Sequence, residues 1–210
     1  MNRAALRADC IIEGWNKMKL ILASNSPRRQ ELLRQIGLDF EVIAAESEAL
    51  PDENLTPDMA VAEIALQKAK DVRRQLGDTG KEEQLIIAAD TMVCLKGALL
   101  GKPLDEGHAR EMLAMLSDKK HTVYTGIALL QGNKQMCDTV ATDVYFRKLT
   151  KEEISAYVTE GEPMDKAGAY GIQGKAAHFV SRIDGDFYNV MGLPLCRLWE
   201  MLKEMGIKPE

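Results

Sequence analysis

The chain is 210 residues long, with 27 lysines and arginines against 32 aspartates and glutamates, a net charge of −5. With 46% hydrophobic and 28% charged residues it can bury a real core, which excludes wholesale disorder, a collagen-like fibre and a disulfide scaffold. The acidic balance argues against non-specific coating of nucleic acid but leaves room for a local basic pocket, and no run reaches the ~18 apolar residues of a membrane span.

Residues 1–17 start basic but are broken by Arg7, Asp9 and Glu13, unlike the unbroken apolar core of a signal peptide. They are read as an N-terminal extension outside the functional argument, and 18–210 as one domain. Leu20–Ala23 reads as a short buried strand. A helix follows over Arg28–Gly37, with Ser26 as N-cap, Pro27 in its first turn and Gly37 as its stop. Phe40–Ala44 suits a second strand, and an acidic loop runs from Glu46 to Asn54. Thr56-Pro57 opens a helix with Val61, Ile64, Ala65, Val72 and Leu76 at helical spacing.

Leu85–Leu95 is an apolar strand interrupted by Asp90-Thr91, and Gly97 turns it into Leu99-Leu100. Ala109, Met112, Leu113 and Leu116 mark a helix ending near Ser117. His121–Leu130 and Gln135–Phe146 read as a hairpin about Gly132-Asn133. Thr150 and Glu153 form a capping box for a helix over Lys151–Thr159. A glycine-rich stretch from Gly168 to Gly174 leads to a strand over His178–Ile183. Gly185–Pro194 reads as a structural turn, and a last helix spans Leu195–Met205. Strands and helices intermix around hairpins, which predicts a mixed α/β sheet.

Four places carry chemistry. Ser24-Asn25-Ser26-Pro27-Arg28-Arg29 lies at a strand-to-helix junction, where free N–H groups, the helix dipole and two guanidiniums suit a phosphate. The plain alternative is an N-cap and a solvated first turn, in which two cations oppose the dipole. Asp90, an acid amid apolar neighbours, suits a general base or a metal ligand, or else a hydrogen-bonded turn. Lys68 falls on the apolar stripe of its helix and either snorkels to solvent or points into a cleft, and Lys102 is held by Pro103 after a hairpin. In Asp165–Gly174 three glycines let backbone approach a ligand, and Gln173 offers both donor and acceptor to a base edge. His108, His121 and His178 have no spaced partners and read as structural. The four cysteines lack metal or redox spacing and read as free thiols of a reducing cytoplasm.

Together, ASNSPRR at 23–29, LQKAK around Lys68, AADT at 88–91, GKP at 101–103, DKAGAYGIQG at 165–174 and NVMGLP at 189–194 resemble the Maf family. The match runs over residues 18–205. The resemblance implies a twisted mixed sheet flanked by helices, two lobes about a central cleft like the inosine triphosphate pyrophosphatases, and homodimers. It also implies hydrolysis of a nucleoside triphosphate to its monophosphate and pyrophosphate, with a divalent metal, Mg²⁺ or Mn²⁺. Arg28, Thr91 and Gln173 look like the dTTP/UTP subgroup. Asp90 matches the proton acceptor, Lys68 and Lys102 the phosphate-side lysines. Ser24, Arg28, Arg29, Lys68 and Lys102 would hold the triphosphate, with Gln173 and Thr91 reading a pyrimidine. Members often carry two adjacent acids after the second strand, whereas this chain reads Glu46-Ser47-Glu48-Ala49. The carboxylate joining Asp90 at the metal is therefore Glu48 or Glu46, with Glu48 preferred. Two other readings are a septation regulator that binds nucleic acid or a protein, and a purine or methylated-GTP pyrophosphatase.

Overall fold

Aliphatic residues at alternating positions build a seven-stranded sheet, seen in a computed structural model that describes residues 18–46, 52, 54–77 and 79–207. Its strands are β1 (Lys19–Leu22), β2 (Glu41–Val42), β3 (Gln84–Leu95), β4 (Ala98–Leu100), β5 (Lys120–Gln131), β6 (Lys134–Phe146) and β7 (Val180–Asp184). They lie in the order β2-β1-β3-β5-β6-β7, with β4 paired to β3. β1 is parallel to β2 and β3, and the other pairings are antiparallel, which makes the sheet mixed as expected. The helices are α1 (Pro27–Gln35), α2 (Pro57–Leu76), α3 (Glu106–Leu116), α4 (Lys151–Thr159), α5 (Phe187–Met191) and α6 (Leu195–Glu204).

The two-residue period of β3 sorts its side chains between two cores. Ile86 and Ala88 pack with Ala65, Ala69 and Val72 of α2. Leu85, Ile87, Ala89 and Val93 join the larger core, which also takes residues from α1, α3, α4 and α6. The capping box forms as expected: Thr150 Oγ1 accepts the Glu153 N–H at 3.2 Å and Glu153 Oε2 accepts the Thr150 N–H at 2.8 Å.

Four elements differ from their sequence-based expectations. β2 is two residues long because only Glu41 and Val42 find partners on β1. β3 is not interrupted at Asp90-Thr91, since both residues stay in register with Gly126 and Thr125 of β5. The break lies in its other neighbour instead. β1 pairs with residues 84–87 of β3 and β4 with 93–95, so 88–92 have no paired strand on that side. β7 begins at Val180 because Lys175–Phe179 coil into a 3₁₀ turn. The segment 185–194 contains α5, whose first turn is capped by Asp186 Oδ1 on the Tyr188 N–H at 2.7 Å.

Gly126, the register partner of Asp90, sets how near α2 approaches the sheet. A Cβ there would lie 2.3 Å from the Val61 carbonyl oxygen and 2.5 Å from the Ala62 nitrogen, backbone atoms that cannot swing aside. Gly126→Ala should therefore push α2 off the sheet and destabilise the fold by about 1–3 kcal/mol. Urea denaturation checks this, and unchanged stability would show that α2 yields freely.

Candidate active site

The gap beside β3 opens into a cleft of about 740 Å³. Its walls come from 24–29 around the start of α1, Lys68 of α2, 90–93 of β3, Gly101-Lys102 after β4, several residues between 162 and 174, and 190–192.

Asp90 follows Ile86 and Ala88 onto the α2 face, where Lys68 Nζ lies 2.5 Å from its Oδ1. This ion pair accounts for a lysine on an apolar helical stripe. The two side chains are only 23% and 16% exposed, so removing either partner leaves the other charge largely out of water.

Thr91 turns to the opposite face and meets Thr125, its register partner, with 3.0 Å between the hydroxyl oxygens. Thr125 Oγ1 donates to the Asn189 carbonyl at 2.9 Å, and Arg29 Nη2 donates to Thr91 Oγ1 at 3.0 Å. A guanidinium only donates and a carbonyl only accepts. The chain therefore runs from Arg29 through Thr91 and Thr125 to Asn189, and the Thr91 hydroxyl hydrogen goes to Thr125.

The two arginines of the SPRR run divide. Arg29 is buried, its Nε donating to the Gly192 carbonyl at 2.8 Å and its Nη1 to Ser24 Oγ at 3.2 Å. Burial lowers its pKa from the ordinary value, and the Asp90 charge acts in the opposite sense. Arg28 is half-buried and pairs with Asp165 Oδ2 at 3.2 Å. Ser26 is the N-cap residue but its side chain makes no capping bond, and no acid sits in the first turn of α1. The dipole and the first-turn N–H groups therefore remain available to an anion.

Lys102 is exposed on the loop after β4. The neighbouring Gly101 carbonyl accepts the Gly168 N–H at 3.0 Å, tying this loop to the glycine-rich run. Gly168 has φ +70° and a Cβ there would lie 2.9 Å from Val93 Cγ2, so conformation and space both demand glycine. Gln173 is exposed at the cleft, and its amide makes no hydrogen bond to another described residue. Five cations (Arg28, Arg29, Lys68, Lys102, Lys166) share the cleft with three carboxylates (Asp90, Glu162, Asp165).

Ser24, Arg28, Arg29, Lys68, Asp90, Thr91, Lys102 and Gln173, named from the sequence for catalysis or substrate binding, all line this one cleft. Glu46 does not: it is exposed, and its N–H donates to Asp71 Oδ2 at 2.7 Å. Glu48 lies outside the described residues, as do 1–17. Among the described residues, no group of three His, Cys, Asp or Glu side chains is placed to hold a metal. Two contributors escaped the sequence reading. Segment 185–194 is more than a turn, since Val190, Met191 and Gly192 line the cleft and Gly192 anchors Arg29. Glu162 also lines it, and no periodicity or motif logic singles out a glutamate in a Gly-Glu-Pro turn.

None of the histidines lines the cleft. His121 is buried, with Nε2 2.8 Å from the Tyr170 hydroxyl and Nδ1 unpartnered. Burial pushes its pKa down to about 4, from 6.5. Between these values the unfolded chain binds a proton that the folded chain refuses, so acid erodes stability from about pH 6.5 and the loss levels off below about pH 4. The full effect is at most about 3 kcal/mol. Urea titrations at pH 7 and pH 4.5 should show a smaller acid loss for His121→Gln than for the wild type, and equal losses would refute this assignment.

The profile of the family described as Maf-like protein matches residues 19–205. A Bacillus cereus protein named dTTP/UTP pyrophosphatase is 46% identical over 195 residues, covering 93% of this chain and 94% of its own. A Bacillus anthracis protein of the same name is 46% identical over 189 residues, covering 90% and 96%. The solved Ham1 protein of Staphylococcus aureus is similar at 15% identity and a TM-score of 0.46, covering 89% of this chain and 99% of that one.

Proposed function

The chain belongs to the Maf family, and from that premise we propose that it is a nucleoside triphosphate pyrophosphatase acting on dTTP and UTP. The observation that carries the reading is the Lys68–Asp90 pair facing a cleft that also holds an uncapped helix start, further cations and the amide of Gln173.

A triphosphate brings about four negative charges near neutrality, and the cationic side chains of the cleft offset them. The start of α1 adds N–H donors, with Ser24, Arg28 and Lys102 as further phosphate contacts. Lys68 fixes the carboxylate of Asp90 in one orientation. Asp90 accepts the proton of a water that attacks the α-phosphorus; the P–O bond to the β-phosphate breaks and pyrophosphate leaves with the electron pair. Positioning and charge neutralisation supply most of the acceleration. Gln173 pairs with the carbonyl and imide edge of the pyrimidine. Thr91 assists through the buried chain that holds Arg29 and Thr125, because its hydroxyl hydrogen is already engaged.

A divalent cation, Mg²⁺ or Mn²⁺, belongs to the same reading. Mg²⁺ is commonly held by one or two carboxylates together with substrate phosphates and water. Asp90 on the wall of a basic cleft, whose other two carboxylates are engaged by Tyr157 and Lys175 (Glu162) and by Arg28 and Lys166 (Asp165), with no protein cage among the described residues, fits that habit. Asp90 would hold it, with Glu48 as the second carboxylate. When bound it would neutralise phosphate charge and lower the pKa of a coordinated water.

The proposal includes a homodimer, a cytoplasmic location and one functional domain over 18–210. No helix among the described residues is long and apolar enough to cross a membrane. A nucleotide panel with Mg²⁺ that separates pyrophosphate from orthophosphate release tests the activity. Pyrophosphate from dTTP and UTP ahead of purine triphosphates is the expected result, and no turnover of any nucleotide with either metal would overturn it. Light scattering tests the dimer.

A further inference from the structure

Gln173 sits at the middle of a loop, Gly171–Lys175, whose two ends are held by one polar unit. The Gly171 N–H donates to Tyr157 Oη at 3.2 Å. The same hydroxyl donates to Glu162 Oε1 at 3.1 Å. At the far end, the Lys175 N–H donates to Glu162 Oε2 at 3.0 Å. Both carboxylate oxygens of Glu162 thus face the loop, although the residue lines the cleft. A Cβ on Gly174 would lie 2.0 Å from Glu162 Oε1, so the backbone wraps around the carboxylate with no room to spare.

The unit rests on a firm base. The Tyr157 ring packs edge-on against Phe179, with centroids 5.3 Å apart, and its side chain is buried on α4. Burial raises the Tyr157 pKa and the Glu162 charge adds to this, which keeps the phenol protonated as a donor. Lys166 donates to the Glu162 carbonyl and holds the turn from which the carboxylate projects.

We propose that Glu162 and Tyr157 are positioning residues that fix the height of Gln173 over the cleft, and so set base selectivity without touching the base. The proposal rests on the reading that Gln173 recognises the base. A carboxylate is needed because it offers two acceptors to two donors. In Glu162→Gln the amide oxygen can keep only one of the two donors: if it keeps the Lys175 N–H, the NH₂ group donates to Tyr157 Oη and competes there with the Gly171 N–H, which loosens that end of the loop.

The test compares kcat and KM for dTTP, UTP, dATP and dGTP, together with inhibition by inorganic pyrophosphate, in wild type, Glu162→Gln, Tyr157→Phe and Gln173→Ala. For both clamp variants KM for dTTP and UTP should rise about tenfold, near the loss of one hydrogen bond. Their kcat should stay within about threefold, pyrophosphate inhibition should not change, and the pyrimidine-to-purine ratio of kcat/KM should narrow about tenfold. Tyr157→Phe keeps the ring on Phe179, so it carries the test if Glu162→Gln does not fold. A ratio that stays at the wild-type value in a folded clamp variant, while Gln173→Ala narrows it, overturns the clamp alone. A wild type that discriminates and a Gln173→Ala variant that discriminates equally overturn the base reading and the clamp with it. A loss that falls alike on every nucleotide and on pyrophosphate inhibition means a disturbed cleft, and overturns the positioning role.

Discussion

Asp90→Asn should lower kcat for pyrophosphate release by about 10³-fold, within the 10²–10⁴ range that general-base removal produces. The substitution keeps the shape of the side chain and its place on β3 while removing the charge that receives the proton. Nucleotide affinity should hold or improve. In the wild type the Lys68 ammonium lies 2.5 Å from Asp90 Oδ1, and without that charge it is free to turn toward phosphate. The loss of a partly shielded ion pair has a structural cost, since Lys68 is left 23% exposed without its counter-charge. Thermal unfolding in the presence of a non-hydrolysable dTTP analogue separates the two effects: the free variant melts lower, and the analogue raises its melting point at least as far as it raises that of the wild type. A kcat within about tenfold of wild type would remove Asp90 from the reaction and leave it as a structural partner of Lys68.

Much of this site was legible in the sequence because its parts are violations of local patterns. Asp90 interrupts a continuous apolar run and Lys68 interrupts an apolar helical stripe, and the fold places the two exceptions against each other. The Thr150–Glu153 capping box was legible for a different reason, since its two hydrogen bonds lie within one turn. What escaped depends on pairing between distant segments. The expected break in β3 was a break in its neighbour, which no pattern within 85–95 can reveal. Arg28 and Arg29 are adjacent and chemically alike, yet one pairs at the cleft surface and the other is buried. Helical geometry turns neighbouring residues by about 100°. Arg29 shares the buried face of α1 with Leu32 and Leu33, and the distant Gly192 and Thr91 supply the acceptors it finds there. Glu162 was illegible because its partners, Tyr157, Gly171 and Lys175, meet through a turn whose shape the sequence pattern does not display.

That division between the arginines yields the second large effect. Arg29→Lys should destabilise the protein by about 3 kcal/mol, or roughly 6–12 °C in melting temperature for a chain of this size, and lower kcat/KM by about 10²-fold. Arg29 makes three hydrogen bonds at once, to Gly192, Ser24 and Thr91, and these belong to three segments that wall the cleft. A planar fork can meet three such acceptors, whereas an ammonium on a flexible stem cannot span them with the same geometry. The Gly192 carbonyl is buried and the Ser24 and Thr91 hydroxyls are partly so, and the desolvation of any acceptor left unmet is no longer compensated. The Thr91–Thr125–Asn189 chain also loses its first donor. Arg28→Lys is the matching control, because its pairing with Asp165 is a single contact between partly exposed groups, with Asp165 62% exposed. Its stability should change by less than about 1 kcal/mol. If both lysine variants melted together, Arg29 would hold nothing that Arg28 does not. The buried fork would then lose its claim to organise the cleft, and the phosphate role would pass to both guanidiniums alike.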